Sequence, residues 1–248
     1  MTSPETRADS SIFPRCAAVI VAGGTGERFG DVGGKQLASV LGIPLLARTV
    51  EAFDSAESIS EILLVCHPDR VGEYESAVRD SFELSTSLTA IAGGRTRQDS
   101  VGLGLDAASP STDVFVIHDG ARPLVSAALV DEVVSVLLGT DGIAGLVVGH
   151  PAYDTLKRVE GDTVVSTPDR SEFWVAQTPQ VFVAESLRRA HAKAAAEGLI
   201  GTDDASLVEA AGDRVRMFEG PRDNIKVTVP EDLAIVEAIL ASRRLGDE

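Results

Sequence analysis

The segment CAAVIVAGGTGERFGDVGGKQ, residues Cys16–Gln36, decides how this chain folds. Its first part, Cys16–Ala22, is a continuous apolar run, which is typical of a strand buried on both faces of a parallel sheet. The run leads directly into a glycine-rich loop, where backbone N–H groups can approach an anion closely. Because ligands bind beyond the carboxyl ends of the strands in open α/β sheets, this junction predicts a binding site as well as a fold.

The glycine-rich loop matches neither of two familiar phosphate-binding patterns. A dinucleotide fingerprint needs Gly-x-Gly-x-x-Gly, but after Gly24-Thr25-Gly26 the third glycine comes one position late. A Walker loop needs Gly-Lys-Ser/Thr, whereas Gln36 follows Lys35 here. Arg28 and Lys35 remain as two cations after the first strand, and the alternative is a surface loop with two solvated cations.

The rest of the chain alternates short apolar runs with stretches of helical periodicity. The predicted strands are 16–22, 59–67, 88–92, 113–123, 143–151 and 215–219. The predicted helices are 44–55, 71–81, 100–107, 126–138, 183–198, 203–211 and 231–244. This alternation predicts a doubly wound α/β fold, with a mainly parallel sheet covered on both faces.

The pattern changes after Tyr153. Leu156–Val159 and Thr163–Ser166 alternate apolar and polar residues on either side of Glu160-Gly161-Asp162, which is a hairpin signature. Because no predicted helix covers this hairpin, we expect it to project as an arm at about residues 152–174. The chain is otherwise predicted to be one domain over residues 15–248, after a flexible leader at 1–14.

Composition excludes several classes of protein. The 248 residues carry 22 Lys+Arg against 38 Asp+Glu, a net charge of −16, and 44% of them are hydrophobic. This hydrophobic content excludes a disordered chain, and the acidity argues against nucleic acid as a partner while permitting a small anionic substrate. Cys16 and Cys66 lie in apolar runs and are predicted to be buried free thiols, consistent with a reducing compartment. With no apolar leader or membrane-length run, we expect a cytoplasmic protein that binds no membrane.

Further polar clusters follow other predicted strands. In GGRTRQDSV, residues Gly93–Val101, Ser100 is either a ligand-binding residue or a helix cap. In HDGARP, residues His118–Pro123, Asp119 at the strand end would ligate or orient a metal ion and Arg122 would meet a phosphate. The alternative for Asp119 is a cap or a partner for Arg122. His118 is expected to pack in the strand, with no catalytic role.

Two more clusters occur near the arm and after it. The arm's entry, Asp154–Arg158, is followed by Thr167–Arg170 on its exit and by QTPQ at 177–180. Later, GTDD at 201–204 precedes a helix, with Thr202 as its predicted N-cap, and NIKVT follows at 224–228. Lys226 is predicted to lie in a strand-like segment, where it needs an anionic partner or a route to solvent.

Taken in order, these clusters resemble the 2-C-methyl-D-erythritol 4-phosphate cytidylyltransferase family of non-mevalonate isoprenoid biosynthesis. The resemblance runs from about Cys16 to Leu245, and its motifs are AGGTGERF with Lys35-Gln36, GGRTRQDSV, HDGARP, DTLKR, PDR…W…QTPQ, TDDAS and NIKVT. It implies a Rossmann-like (GT-A-like) nucleotidyltransferase domain with a β-arm that interlocks two subunits, and therefore a homodimer.

The resemblance also implies a reaction and the residues that serve it. The phosphate of a sugar-alcohol phosphate would attack the α-phosphorus of CTP and release pyrophosphate. Mg²⁺ or another divalent cation would assist, with Asp119 as its ligand or orienting group. The implied catalytic residues are Arg28, Lys35 and Lys226. The implied nucleotide-binding residues are Ala22, Gly23, Gly24, Gly26, Gly94 and Ser100. The implied substrate-binding residues are Asp119, Arg122, Thr155, Arg170, Thr178 and Thr202, of which Thr155 and Arg170 would serve the neighbouring subunit.

The chain departs from the family pattern at three places. It has Ala22-Gly23-Gly24 for Ala-Ala-Gly, Gly34-Lys35-Gln36 for Pro-Lys-Gln, and Arg95 where an acidic residue is common. The Ala-Gly-Gly form also resembles the sister ribitol-5-phosphate cytidylyltransferases, but DTLK at 154–157 and the PDR…W motif favour the methylerythritol enzymes. A non-catalytic nucleotide-binding module is a further alternative, which the presence of all three implied catalytic cations disfavours.

Overall fold

The computed structural model describes residues 14–24, 29 and 34–246. Its strands are β1 (Cys16–Ala22), β2 (Ser39–Val40), β3 (Ile43–Pro44), β4 (Ile59–Cys66), β5 (Ser87–Ala92), β6 (Val114–Asp119), β7 (Gly145–Pro151), β8 (Arg158–Glu160), β9 (Thr163–Ser166), β10 (Trp174–Val183) and β11 (Val215–Glu219). Its α-helices are α1 (Leu45–Asp54), α2 (Val71–Arg79), α3 (Arg97–Ala107), α4 (Ala127–Leu138), α5 (Ala184–Glu197), α6 (Asp204–Ala210) and α7 (Glu231–Gly246). Of the predicted leader only Pro14 is described, so the leader and the domain boundaries stay predictions.

Seven strands form one central sheet in the order β11-β7-β10-β6-β1-β4-β5. The pairs β1–β4, β1–β6, β4–β5 and β7–β11 are parallel. Strand β10 runs antiparallel to both β6 and β7. The predicted mainly parallel α/β sheet is therefore confirmed, with one antiparallel strand inside it. The carboxyl ends of β1, β4, β5 and β6 lie at the same edge, where the predicted polar clusters follow them.

The sheet is covered on both faces, as the continuous apolar strands predict. Alternate residues of β1 pack on opposite sides: Ala18 and Ile20 contact the cluster that includes α1, α2 and α4, whereas Ala17 and Val19 contact the cluster that includes α3, α5 and α6. A third, smaller cluster joins α7 to the β2–β3 hairpin, through contacts that include Val40 and Val236. These clusters hold the sheet rigid beneath its polar edge.

Strand β10 is not among the strands that the sequence predicts. Its centre carries Gln177, Thr178 and Gln180, which are all buried. Polar residues and Pro179 at its centre argue against an interior strand. They are accommodated because hydrogen bonds satisfy them: Gln180 Nε2 donates to Asp203 Oδ2 at 2.7 Å, and Asn224 Nδ2 donates to the Thr178 carbonyl at 2.8 Å.

The predicted arm is a separate two-stranded sheet made of β8 and β9. Every residue of these two strands is exposed. At the base of the arm Trp174 pairs with Pro151 and Val175 with His150, so β7 leads into the arm and β10 leads out of it. The hairpin is thus confirmed over 158–166, and it projects from the edge that carries the polar clusters.

Two further expectations concern the burial of the cysteine side chains and the length of the helices. Cys16 and Cys66 are buried free thiols, as predicted, and burial raises the pKa of Cys16 to about 11 and that of Cys66 to about 12. Over the residues described, none of the helices combines the length and the apolar character needed to cross a bilayer.

Candidate active site

The polar edge of the sheet contains a cleft with two lobes. The first lobe, about 310 Å³, lies over the ends of β1 and β5 and is lined by Gly23, Gly94 and Lys35 among others. The second lobe, about 300 Å³, lies over the centre of β10 and is lined by Thr178 and Thr202 among others. Arg97, Asp119 and Lys226 line both lobes and mark their junction.

Backbone forms the floor of the first lobe. The Gly93 N–H donates to the Cys66 carbonyl at 2.7 Å, which brings the ends of β4 and β5 together. A Cβ at Gly93 would lie 2.9 Å from Ser100 Oγ and 3.0 Å from the Cys66 carbonyl oxygen, so this close approach requires glycine. The Ser100 hydroxyl accepts from the Gly94 N–H at 3.1 Å and donates to the Thr96 carbonyl. Gly23, Gly24, Gly94 and Ser100 line this lobe, whereas Ala22 is buried beneath it.

Lys35 reaches the first lobe from a short 3₁₀ helix, Lys35–Leu37. Its Nζ donates to the Val227 carbonyl at 3.0 Å, which joins the glycine-rich loop to the segment that carries Lys226. Gly34, immediately before it, has φ of +70°, a left-handed conformation that proline cannot adopt. Gly26 and Arg28, two other predicted site residues, lie outside the described residues.

Asp119 is the centre of the junction, at the carboxyl end of β6. Its Oδ2 accepts from Lys226 Nζ at 2.8 Å and its Oδ1 accepts from Arg97 Nε at 3.2 Å, while Arg122 Nε lies 3.8 Å from Oδ2. Burial alone would raise the pKa of Asp119, but Arg97, Lys226 and Arg122 outweigh burial and hold it well below its usual range. Its backbone N–H donates to Thr178 Oγ1 at 3.1 Å, which fixes the carboxylate against the second lobe.

A buried ion pair extends from the junction into the protein. Arg97 Nη1 donates to Asp204 Oδ2 at 2.7 Å, and His191 Nε2 lies 3.0 Å from Asp204 Oδ1. Burial alone would raise the pKa of Asp204, but contacts with His191 and Arg97 lower it. Burial would likewise lower the pKa of Arg97, but Asp204 and Asp119 raise it. Arg97 therefore carries its charge between two carboxylates.

Side chains from three segments line the second lobe. Arg122 Nη1 donates to the Asn224 carbonyl at 2.7 Å, and Thr178 is buried below it. Thr202 lies at the rim, one residue before Asp203, whose carboxylate accepts from Gln180. The structure therefore brings together Asp119, Arg122, Thr178 and Thr202, as expected for one substrate-binding group.

Thr155 and Arg170 are not part of this group within one chain. Both are exposed, and neither is among the described residues that line the two lobes. Arg170 Nη1 donates to the Tyr153 carbonyl. The Tyr153 ring is covered by the Arg222 guanidinium, whose Cζ lies 3.3 Å from the ring centroid. These contacts hold the base of the arm.

Three local expectations are wrong: the helix-cap alternative for Ser100 and two predictions, for Thr202 and Lys226. The α3 N-cap is Thr96, whose hydroxyl accepts from the Asp99 N–H, so Ser100 is not a cap. The α6 N-cap is Asp203, whose carboxylate accepts from the Ser206 N–H, so Thr202 is not a cap either. In each helix the N-cap residue and the residue three positions later form a capping box: Thr96 with Asp99, and Asp203 with Ser206.

The third concerns Lys226, which does not lie in a strand, because residues 220–230 form a loop after β11. Its apolar neighbours Ile225 and Val227 pack in the small cluster below α7, not in the sheet. His118 is buried in β6 as predicted, and burial lowers its pKa to about 3, so it stays neutral near pH 7.

The described residues offer few ligands for a divalent cation. Asp119 is the single carboxylate among the described residues that line the first lobe. No group of three or more His, Cys, Asp or Glu side chains in the described ranges is arranged to hold a metal. This donor set fits Mg²⁺ that is carried largely by phosphate oxygens with one carboxylate nearby, which is how Mg²⁺ is usually held in nucleotide sites.

Sequence reasoning missed Arg97 and Asp204 as residues of the junction. Both lie within quoted motifs, GGRTRQDSV and TDDAS, but nothing in the sequence pairs residues 107 positions apart. The signal available was two oppositely charged residues at the N-termini of two helices, and many solvated pairs share that signal.

Comparison with known proteins gives consistent matches. A family model of 2-C-methyl-D-erythritol 4-phosphate cytidylyltransferases matches residues 16–242. The enzyme of that name from Synechococcus elongatus is 43% identical over 227 residues, 91% of this chain and 96% of its own. The one from Geotalea uraniireducens is 41% identical over 230 residues, 92% of this chain and 97% of its own.

Solved structures agree with this result. The crystal structure of 2-C-methyl-D-erythritol 4-phosphate cytidylyltransferase from Thermus thermophilus superposes with a TM-score of 0.71 at 34% identity, covering 90% of this chain and 98% of that one. These matches do not favour the ribitol-5-phosphate alternative or a non-catalytic module.

Proposed function

The chain belongs to the 2-C-methyl-D-erythritol 4-phosphate cytidylyltransferase family, and from this premise we propose how its cleft works. The enzyme is a CTP-dependent nucleotidyltransferase of isoprenoid biosynthesis. It joins CTP and 2-C-methyl-D-erythritol 4-phosphate to give 4-diphosphocytidyl-2-C-methyl-D-erythritol and pyrophosphate. One observation supports placing this reaction in the cleft. The cleft has two lobes, and at their junction Asp119 contacts both Lys226 and Arg97.

The first lobe is the proposed CTP site. Backbone at Gly23, Gly24 and Gly94, with the Ser100 hydroxyl nearby, gives a shallow floor that suits a pyrimidine. Lys35 enters the same lobe, where its charge would stabilise the negative charge that builds on the α-phosphate and leaving group. Arg28 and Gly26 are proposed to act beside it in the glycine-rich loop.

The second lobe is the proposed sugar-phosphate site. Thr178 and Thr202 offer hydroxyls, and Arg122 offers a guanidinium, to the phosphate or the alcohol groups. The attacking phosphate oxygen would then meet the α-phosphorus at the junction, beside Lys226. Because a phosphate dianion needs no general base, positioning and charge neutralisation supply the catalysis.

Mg²⁺ or another divalent cation is proposed to accompany the triphosphate, with Asp119 as ligand or orienting group. When bound, it would neutralise part of the phosphate charge and polarise the phosphoryl oxygens. The paired carboxylate of Asp119 keeps Lys226 and Arg97 at the junction whether or not it also contacts the ion.

The arm is proposed to form a homodimer in which Thr155 and Arg170 serve the partner's site. What supports this is the exposure of every residue of β8 and β9, since a two-stranded hairpin needs a packing partner for independent stability. The partners are therefore small molecules and a second copy of the chain. Buried free thiols suit a reducing cytoplasm, which is the proposed location.

The assay that tests the activity measures pyrophosphate release from CTP with each alcohol phosphate. We expect turnover with 2-C-methyl-D-erythritol 4-phosphate and little with D-ribitol 5-phosphate. Preferential turnover of ribitol phosphate, or CTP binding without turnover of either, would contradict the proposed function.

Subunit mixing tests the shared site. Inactive Arg170→Ala and Lys35→Ala proteins are combined under conditions that allow exchange. In a mixed dimer one site carries both lesions and the other carries neither, so activity should reappear. Exchange without recovery would mean that Arg170 acts in its own subunit or outside catalysis.

A further inference from the structure

Arg97 has a position in the cleft that no proposed role uses. It lines both lobes, as Lys226 does, and the two cations bind opposite oxygens of the Asp119 carboxylate. A cation at the point where two phosphate-bearing substrates meet can contact the attacking phosphate, the α-phosphate or both. Lys35 comes from the loop after β1 and lines the first lobe but not the second.

Two carboxylates hold the guanidinium of Arg97 in place. Nη1 donates to Asp204, whose carboxylate is 1% exposed, so this ion pair is inside the protein rather than at its surface. Nε donates to Asp119, so two N–H groups of the planar guanidinium are fixed by two carboxylates on different elements. This fixes the plane of the guanidinium, and its remaining donors are available to a ligand because 30% of the side chain is exposed.

We propose that Arg97 is a further catalytic residue, which contacts the reacting phosphates at the junction, and that Asp204 is its positioning residue. This inference rests on the proposed function. Asp204 does not line either lobe among the described residues, so it acts through Arg97. His191 contacts the other oxygen of Asp204 and completes the hydrogen bonding of a carboxylate that has no access to water.

Asp204 affects Arg97 in two ways, by neutralising its charge and by orienting its guanidinium. Its carboxylate neutralises the cation that it holds, so Asp204→Asn leaves Arg97 with less compensation and stronger attraction for an anion. The same change weakens the contact that fixes the plane of the guanidinium. We therefore expect Asp204→Asn to lower kcat by ~10-fold without raising KM for the sugar phosphate. Loss of a purely attractive contact would raise KM instead.

A double-mutant cycle tests the inference, with kcat measured per CTP-binding site from calorimetric stoichiometry so that unfolded protein does not count. Arg97→Met should lower kcat by at least ~100-fold, and Arg97→Lys by less because it keeps the charge but not the fork. If Asp204 acts through Arg97, the double variant Arg97→Met/Asp204→Asn should be no slower than Arg97→Met alone. The double variant also removes both buried charges together, so it keeps a folded protein available if Arg97→Met is unstable.

Arg189→Met is the matched control, because Arg189 on α5 pairs with Asp213, outside both lobes. It should turn over like the wild type. A kcat for Arg97→Met within ~3-fold of the wild type would overturn the catalytic role, and effects of the two changes that multiply would overturn the positioning role. Wild-type protein that binds CTP but yields no product would instead refute the proposed function, and this inference with it.

Discussion

Placing a charge on the arm should weaken the proposed dimer by an amount that can be worked out from the exposed fractions of the arm's valine side chains. Val159, Val164 and Val165 are 51%, 54% and 45% exposed in the single chain. Burying a whole valine side chain gains about 1.5–3 kcal/mol, so covering half of one gains about 0.8–1.5 kcal/mol. In a symmetric dimer Val164→Asp acts twice, so lost burial alone costs about 1.6–3 kcal/mol.

That cost raises the dimer dissociation constant by roughly 15- to 150-fold, since ~1.4 kcal/mol is tenfold. Desolvation of the new carboxylates adds to it. Sedimentation equilibrium over a range of protein concentrations measures the constant directly. Activity per chain should fall over the same concentrations, because Thr155 and Arg170 are proposed to serve the partner's site.

The matched control is Val136→Asp, a partly exposed valine on α4 rather than on the arm. It should leave the dissociation constant unchanged. The reasoning is refuted if Val164→Asp and the wild type dimerise equally well, or if the wild type is monomeric at every concentration while fully active.

Three more predictions concern the cleft. Lys35→Ala should lower kcat by at least ~100-fold, the usual effect of removing one preorganised donor, and near-normal turnover would rule out its role. CTP should be strongly preferred over ATP in kcat/KM, because a lobe of about 310 Å³ floored by glycine backbone suits a pyrimidine, and equal values would contradict that fit. Asp119→Asn should lower the free energy of unfolding by ~1.5–3 kcal/mol, since it removes the carboxylate that the partly exposed Arg97 and Lys226 both contact. The Asp119 pKa is depressed by folding, so this loss should be constant in urea titrations from pH 5 to 8 and shrink only below the unfolded pKa of ~4; a loss that grows on acidification would disprove the mechanism.

Residues whose environment is local were predictable from the sequence. Continuous apolar runs identified β1, β4 and β6, and the strand-end rule brought Gly94, Asp119 and Lys35 to one edge of the sheet. Prediction failed where long-range contacts override local pattern. The polar centre of β10 is buried because Asp203 and Asn224, distant in sequence, satisfy its hydrogen bonds.

Two other failures have the same cause. Ile225 and Val227 look like strand residues, but they lie in a loop and their apolar side chains pack in the small cluster below α7. Arg97 looks like any basic residue near a helix start, and only the fold brings it between Asp119 and Asp204. Of the site, sequence could therefore predict the segments and the local pair of Asp119 with Arg122, but not the long-range pairs of Asp119 with Arg97 and Lys226.

The position of strand β10 limits where insertions and deletions can occur in chains of this family. It runs from the arm's base at Trp174 to the end of the sheet at Val183, with an irregular register against β7 between Ala176 and Gln180, and the second lobe lies over its centre. One residue inserted or deleted after Gln180 would reverse which face each following side chain occupies, and one before it would shift the arm against the lobe. The tip, Glu160-Gly161-Asp162, is exposed and has a glycine with φ of +61°, so it can absorb added residues without moving either strand end. Differences in length among homologues should therefore collect at the tip of the arm and be missing from 174–183.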